Sequence, residues 1–144
     1  MKNSGMQHFL DANVRCLFIQ ITGLLDLPQA KEYARRARLD PRYENDFDVL
    51  TDISFCELKM EGNDLRAFAD FMNKNWPTQG KIKGAILLQG QFAHGMARMY
   101  DAYTHHRVNR PAFFHREKPD LYKEICSYFG FPTDYQLPEF LDAK

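Results

Sequence analysis

At 144 residues, with a formal net charge of zero, 44% hydrophobic and 26% charged residues, the chain has the size and mix of one domain able to bury a core without metal or disulfide support. The charge balance excludes a generally basic nucleic-acid binder, and no stretch reaches the roughly 20 apolar residues of a membrane span. Cys16, Cys56 and Cys126 are odd in number, far apart and without CxxC spacing, so they read as small core residues of a reducing compartment. The first residues reach His8 and Asp11 without the apolar run of a secretion signal. A cytoplasmic protein, bacterial in style, is expected.

In chain order, Phe9 to Asn13 and Val14 to Thr22 read as two strands able to pair as a hairpin, with Gly23 breaking the second. Asp26 is the predicted N-cap of a helix with Pro28 in its first turn, running through Ala30, Tyr33, Ala34 and Ala37 to Asp40-Pro41. Phe47 to Ile53 is a third strand. The Glu61-Gly62-Asn63-Asp64 loop opens a second helix, with Leu65, Phe68, Ala69 and Met72 on one face and Trp76-Pro77 at its end. Ile82 to Gln89 reads as a buried strand turning at Gly90 into a helix from Phe92 to Arg107. Pro111 to His115 is a last strand, and Pro119 to Phe129 a last helix stopped by Gly130. One domain is expected over residues 1–144. Within it, 131–144 is a C-terminal extension whose Tyr135, Leu137, Phe140 and Leu141 fold back or meet a partner. The order ββαβαβαβα predicts an α/β fold with a mixed, mostly parallel sheet and right-handed crossovers, its helices packed mainly on one side.

Three segments carry a family resemblance: Asp46 to Ser54, Lys81 to Leu88, and Phe92 to Tyr100 followed by Pro111 to Phe114. In these the chain resembles the SpoIIAA-like, STAS-type proteins over nearly its whole length up to about Phe129. The Gly-Met-Ala-Arg-Met run in the third helix is the most distinctive part. The resemblance implies a sheet with helices mostly on one side. It also implies a family largely without assigned biochemistry, whose classical relatives are anti-sigma-factor antagonists and whose Sec14-type structural cousins bind apolar ligands. The antagonists carry a phosphorylatable Ser in the loop that opens the helix after the third strand. Here that loop reads Met60-Glu61-Gly62-Asn63-Asp64, with no hydroxyl, and Ser54 lies earlier, so a phosphoswitch of that kind is not expected. Glu61 and Asp64 read as first-turn acids complementing the helix dipole.

Several constellations bear on chemistry. His94, Arg98, Asp101 and His105 share a helix face. A metal pair at Asp101 and His105 needs a third ligand, which nothing marks, although His115 is a possible neighbour. A solvated face is therefore expected there, with His106 pointing about 100° away. The stripe Phe92, Met96, Met99 and Tyr103, with Tyr100 beside it, has the adaptable side chains of a pocket lining and equally those of a core. Lys31, Arg35, Arg38 and Arg42, with Arg36 nearby, form a basic row suited to a phosphate or to solvent. Asp48 and Asp52 alternate along their strand, Asp52 lying nearer its carboxyl end. Phe71, Trp76 and Phe140 suggest apolar surface covered by the tail or a second subunit.

The reading that follows is a non-enzymatic binding or regulatory domain, with no catalytic residue, metal or cofactor expected. It would bind a protein partner or a small apolar or anionic ligand, lipid included, and form a homo-oligomer, most simply a dimer. The residues expected to carry binding are Asp52, Ser54, Gly62, Gln89, Gln91, Phe92, Met96, Arg98 and Tyr103, placed where strand ends meet helix N-termini. The competing classes are a small hydrolase-like or acid–base enzyme using Asp52 or His94 with Arg98, and a purely structural homo-oligomer.

Overall fold

The structure is a computed structural model that describes residues 4–141 apart from 79 and 106. It contains β1 (Gly5–Asp11), β2 (Cys16–Leu25), α1 (Leu27–Ala37), β3 (Asp48–Leu58), α2 (Gly62–Asn75), β4 (Gly84–Leu88), α3 (Gln91–Tyr103), β5 (Ala112–His115) and α4 (Leu121–Phe129), with a short 3-10 turn at Glu139–Leu141. The five strands form one sheet in sequence order. β1 is antiparallel to β2 and every later pair is parallel.

The strand order decides where the helices go. Each parallel strand after β2 is added on the same side of its predecessor, so right-handed crossovers place all three connecting helices on one face. On that face Leu17, Ile19 and Ile21 of β2 pack against Ala30, Tyr33 and Ala37 of α1, and α2 packs between α1 and α3. The alternate residues Cys16 and Phe18 point to the opposite face, as the strand period requires. There they meet Leu50 and Leu87, with Leu121 and Ile125 of α4 and Leu141 of the tail. The segment after Gly130 therefore folds back over the sheet. Leu141 is fully buried, Phe131 stacks on Phe129 with ring centroids 5.2 Å apart, and the Tyr135 hydroxyl donates to Asp11 Oδ2 at 2.5 Å.

Local chemistry explains most helix ends. Asp26 Oδ1 accepts from the Gln29 N–H at 3.0 Å, Asp64 Oδ2 accepts from the Glu61 N–H at 2.9 Å, and Gly130 ends α4 at φ 76°, the left-handed position that glycine adopts without a Cβ clash. Several expected boundaries move, and β1 runs over Gly5–Asp11 rather than Phe9 to Asn13. β2 continues past Gly23 to Leu25, because a bulge between Gln20 and Thr22 shifts its register with β3. Both strands then run on together, β3 reaching Leu58 rather than Ile53. α3 stops at Tyr103 rather than Arg107: the Thr104 hydroxyl donates to the Asp101 carbonyl at 2.6 Å, His105 takes φ 54°, and Val108 bridges to Ile82 beside the sheet.

Candidate functional site

Between the sheet and the layer of α1, α2 and α3 lies an apolar cavity of about 180 Å³. Ile21, Val49 and Ile86 line it from the sheet, and Tyr33, Met72 and Met96 from the helices. Ala34 of α1 and Ala97 of α3 also face into it. Where a helix presents alanine to a sheet, the backbone separation stays near its usual value while the side chain fills little of the space, and a void results. An apolar cavity of roughly 150 Å³ already accepts benzene.

One end of the cavity is polar. Arg38, Tyr100, Asp101, Thr104 and Arg107 line it there. Thr104, Arg107, Val108 and Pro111 also border a wider surface depression of about 700 Å³ with Asn73 and Thr78, so the depression adjoins the cavity at these residues. Arg107 is 6% exposed. Its Nη1 donates to the Met72 carbonyl at 3.1 Å and toward Asn73 Oδ1 at 3.5 Å, while Nη2 has no hydrogen-bond partner among the described residues. Burial pulls the Arg107 pKa down from its ordinary value and neighbouring Arg38 adds to the effect, Tyr100 acting the other way; a guanidinium nonetheless stays charged in a protein. Burial pushes the Tyr100 hydroxyl up, against the two arginines.

The other face of the sheet carries a second polar group of a different kind. Asp52 is fully buried. Its Oδ2 pairs with Arg116 Nη2 at 2.6 Å and accepts from Gln20 Nε2 at 2.9 Å, while Oδ1 accepts from the Ser54 N–H at 2.9 Å. Arg116 also donates to Ser54 Oγ at 3.1 Å and to the Leu141 carbonyl at 3.1 Å. Gln20 reaches the Phe140 carbonyl at 2.7 Å. Every donor of this network that touches the tail ends on a backbone carbonyl, so the cluster fastens residues 140 and 141 to the sheet. Nearby, burial and the Asp52 charge push the Cys56 thiol up to about 12.

The sequence-expected site residues divide between these surroundings. Met96 lines the cavity. Gly62 sits beside α3, where an added Cβ would lie 3.8 Å from both Met99 Sδ and Tyr103 Oη. Asp52 and Ser54 belong to the network on the opposite face, and Gln89 Nε2 joins its margin by donating to the Ser54 carbonyl at 3.3 Å. Gln91 and Arg98 are exposed, as is Phe92 at 66%. His94 meets His115 rather than Arg98, with Nδ1 and Nε2 3.0 Å apart and the rings stacked. Glu117 lies 3.7 Å beyond His115. Among the described residues no group of three or more His, Cys, Asp and Glu side chains is placed to hold a metal ion; His106 lies outside them. Asp48 Oδ1 accepts from the Lys83 N–H at 2.8 Å. Because the parallel strands are added in one direction, the sheet has no reversal of strand order, and so no crevice of the doubly wound type opens at the strand ends.

The α1 basic row does not act as one surface. Glu32 pairs with Arg35 at 2.8 Å and Arg36 at 3.1 Å, and Asp40 pairs with Arg42 at 2.8 Å. Arg38 instead lies over the rings of Trp76 and Tyr43 and reaches the cavity. Trp76 in turn packs edge-on against Phe71, and Phe140 packs against the core under the tail. The stripe that α3 gives the cavity is Met96, Ala97, Tyr100, Asp101 and Thr104, one step around the helix from the stripe of large apolar residues.

No family profile and no curated protein matches this chain. Among solved structures, it is similar to an uncharacterized protein of the DUF3478 family with a SpoIIAA-like fold from Shewanella loihica PV-4. The alignment covers 88% of this chain and 96% of that one, at 13% identity and a TM-score of 0.52. The chain has a SpoIIAA-like α/β fold. No helix among the described residues is long and apolar enough to cross a membrane.

Proposed function

We propose that this chain is a non-enzymatic binding domain that takes a small apolar guest into the cavity between the sheet and α1–α3. The observation that carries this reading is the cavity itself, an apolar space in the central layer of the fold, walled by alanines where larger side chains would close it. Its volume suits a short alkyl chain or a single ring. Binding is driven by removal of apolar surface from water, worth about 0.8 kcal/mol per methylene. The polar network around Asp52 holds the far side of the sheet together, which leaves the helical side as the one with room for a ligand.

Calorimetric titration with hexan-1-ol tests this. The wild-type protein is expected to bind with a dissociation constant on the order of a millimolar, and Ala97→Phe, which puts a ring into the space, to weaken binding by at least tenfold, about 1.4 kcal/mol. Ala34→Leu, on a different helix, gives the same test if the first variant unfolds. Unchanged affinity in a folded variant contradicts the reading.

A further inference from the structure

The polar end of the cavity narrows the ligand class, an inference that rests on the binding reading above. Arg107 is a buried cation with an unused donor. Its Nη1 is held by the Met72 carbonyl, and its Nη2 has no hydrogen-bond partner among the described residues. A buried charged group with an unsatisfied N–H is costly unless something pairs with it. The residue borders both the apolar cavity and the surface depression, and so marks the place where the two adjoin.

The surrounding charges set the sign. Arg38 lines the same cavity, and its described hydrogen bonds go to the Tyr43 hydroxyl and the Ala34 carbonyl rather than to a carboxylate. Asp101 supplies one negative charge at this end. Two arginines and one aspartate line this end, and Arg110 borders the depression beyond it, so the excess charge beside the apolar space is positive. We propose that the cavity is built for a small amphiphilic monoanion, a monocarboxylic acid with a short alkyl or single-ring body, whose carboxylate accepts from Arg107 Nη2 while its body lies against Met96 and Ala97.

A fully apolar guest would leave Arg107 Nη2 as it is. The carboxylate matches the unused donor and the sign of the charge, and a charge-assisted hydrogen bond out of water is among the stronger polar contacts available. The depression beyond Arg107 gives the headgroup a path from solvent.

The test compares hexanoate with hexan-1-ol, which share a six-carbon chain and differ at the head, by calorimetric titration of the full chain at neutral pH and constant ionic strength. Hexanoate is expected to bind at least about tenfold more tightly. Arg107→Met, which keeps an unbranched apolar stem and removes the charge, is expected to bring the ratio of the two affinities close to one. Arg38→Gln serves if that variant does not fold, and is expected to lower the ratio. Binding of hexan-1-ol equal to or tighter than that of hexanoate overturns the anion assignment and leaves the cavity reading intact. Binding of neither compound overturns both.

Discussion

Replacing Arg116 by Ala is expected to cost about 3–5 kcal/mol of folding stability, because it strands a buried carboxylate without its counter-charge. Asp52 is fully buried and the Arg116 side chain is 10% exposed, with 2.6 Å between them. The surface ion pairs of Glu32 and Asp40 stand against this, since exposed contacts of that kind contribute little. Gln20 and the Ser54 N–H still reach Asp52 in the variant, but neither carries a charge. The loss belongs to breaking the pair rather than to its net worth, so the double substitution Asp52→Leu with Arg116→Met is expected to be less destabilising than Arg116→Ala alone. Urea denaturation of the single and double variants measures both quantities. A loss below about 1 kcal/mol in Arg116→Ala would show that the pair is solvated.

Leu141→Ala is the second large effect, expected at about 2–5 kcal/mol. Leu141 is fully buried against a cluster that includes Phe18, Leu87 and Ile125, and truncation leaves a void that a sheet and a helix cannot readily close. Its carbonyl accepts from Arg116 and from the Tyr122 hydroxyl, contacts that the substitution leaves in place. Removing residues 131–144 takes away those acceptors as well as Phe131 and Leu141, and is expected to destabilise more than the point variant. Truncation with little effect on the denaturation midpoint would mean that the tail does not cover the sheet in solution.

The parts of the fold set by local chemistry are legible in the sequence. Asp26, the Glu61–Asp64 pair and Gly130 mark helix ends because caps act within a single turn. The alternation of strands and helices, with the segments resembling SpoIIAA-like proteins, led to the fold that the structural likeness shows. What failed to read was register between distant segments. Arg116 follows a strand without any local sign that it lies over β3, although an aspartate inside the apolar strand around Leu50 signals that a buried partner must exist somewhere. Arg107 was placed at the end of a helix that in fact stops four residues earlier, so its inward position was hidden. Periodicity picks out the largest apolar residues of α3, whereas Ala97 and Thr104 also wall the cavity, small residues that carry almost no weight in a periodicity argument. Arg38 looked like one more member of a basic row, and only the aromatic rings of Tyr43 and Trp76 separate it from Arg35 and Arg42.

The two faces of the sheet thus do different things. One is closed by α4 and the tail around a satisfied ionic network. The other keeps space, a free donor and an adjoining depression.

The central claim, that the helical side of the sheet receives the guest, is tested most directly by methyl NMR of the protein titrated with hexan-1-ol. The account predicts intermolecular nuclear Overhauser effects from the guest to the methyl groups of Ile21, Leu65 and Met96, all of which line the cavity. Contacts confined to the exposed Met99 and the ring of Phe92 on the outside of α3 would contradict it and place binding on the surface instead.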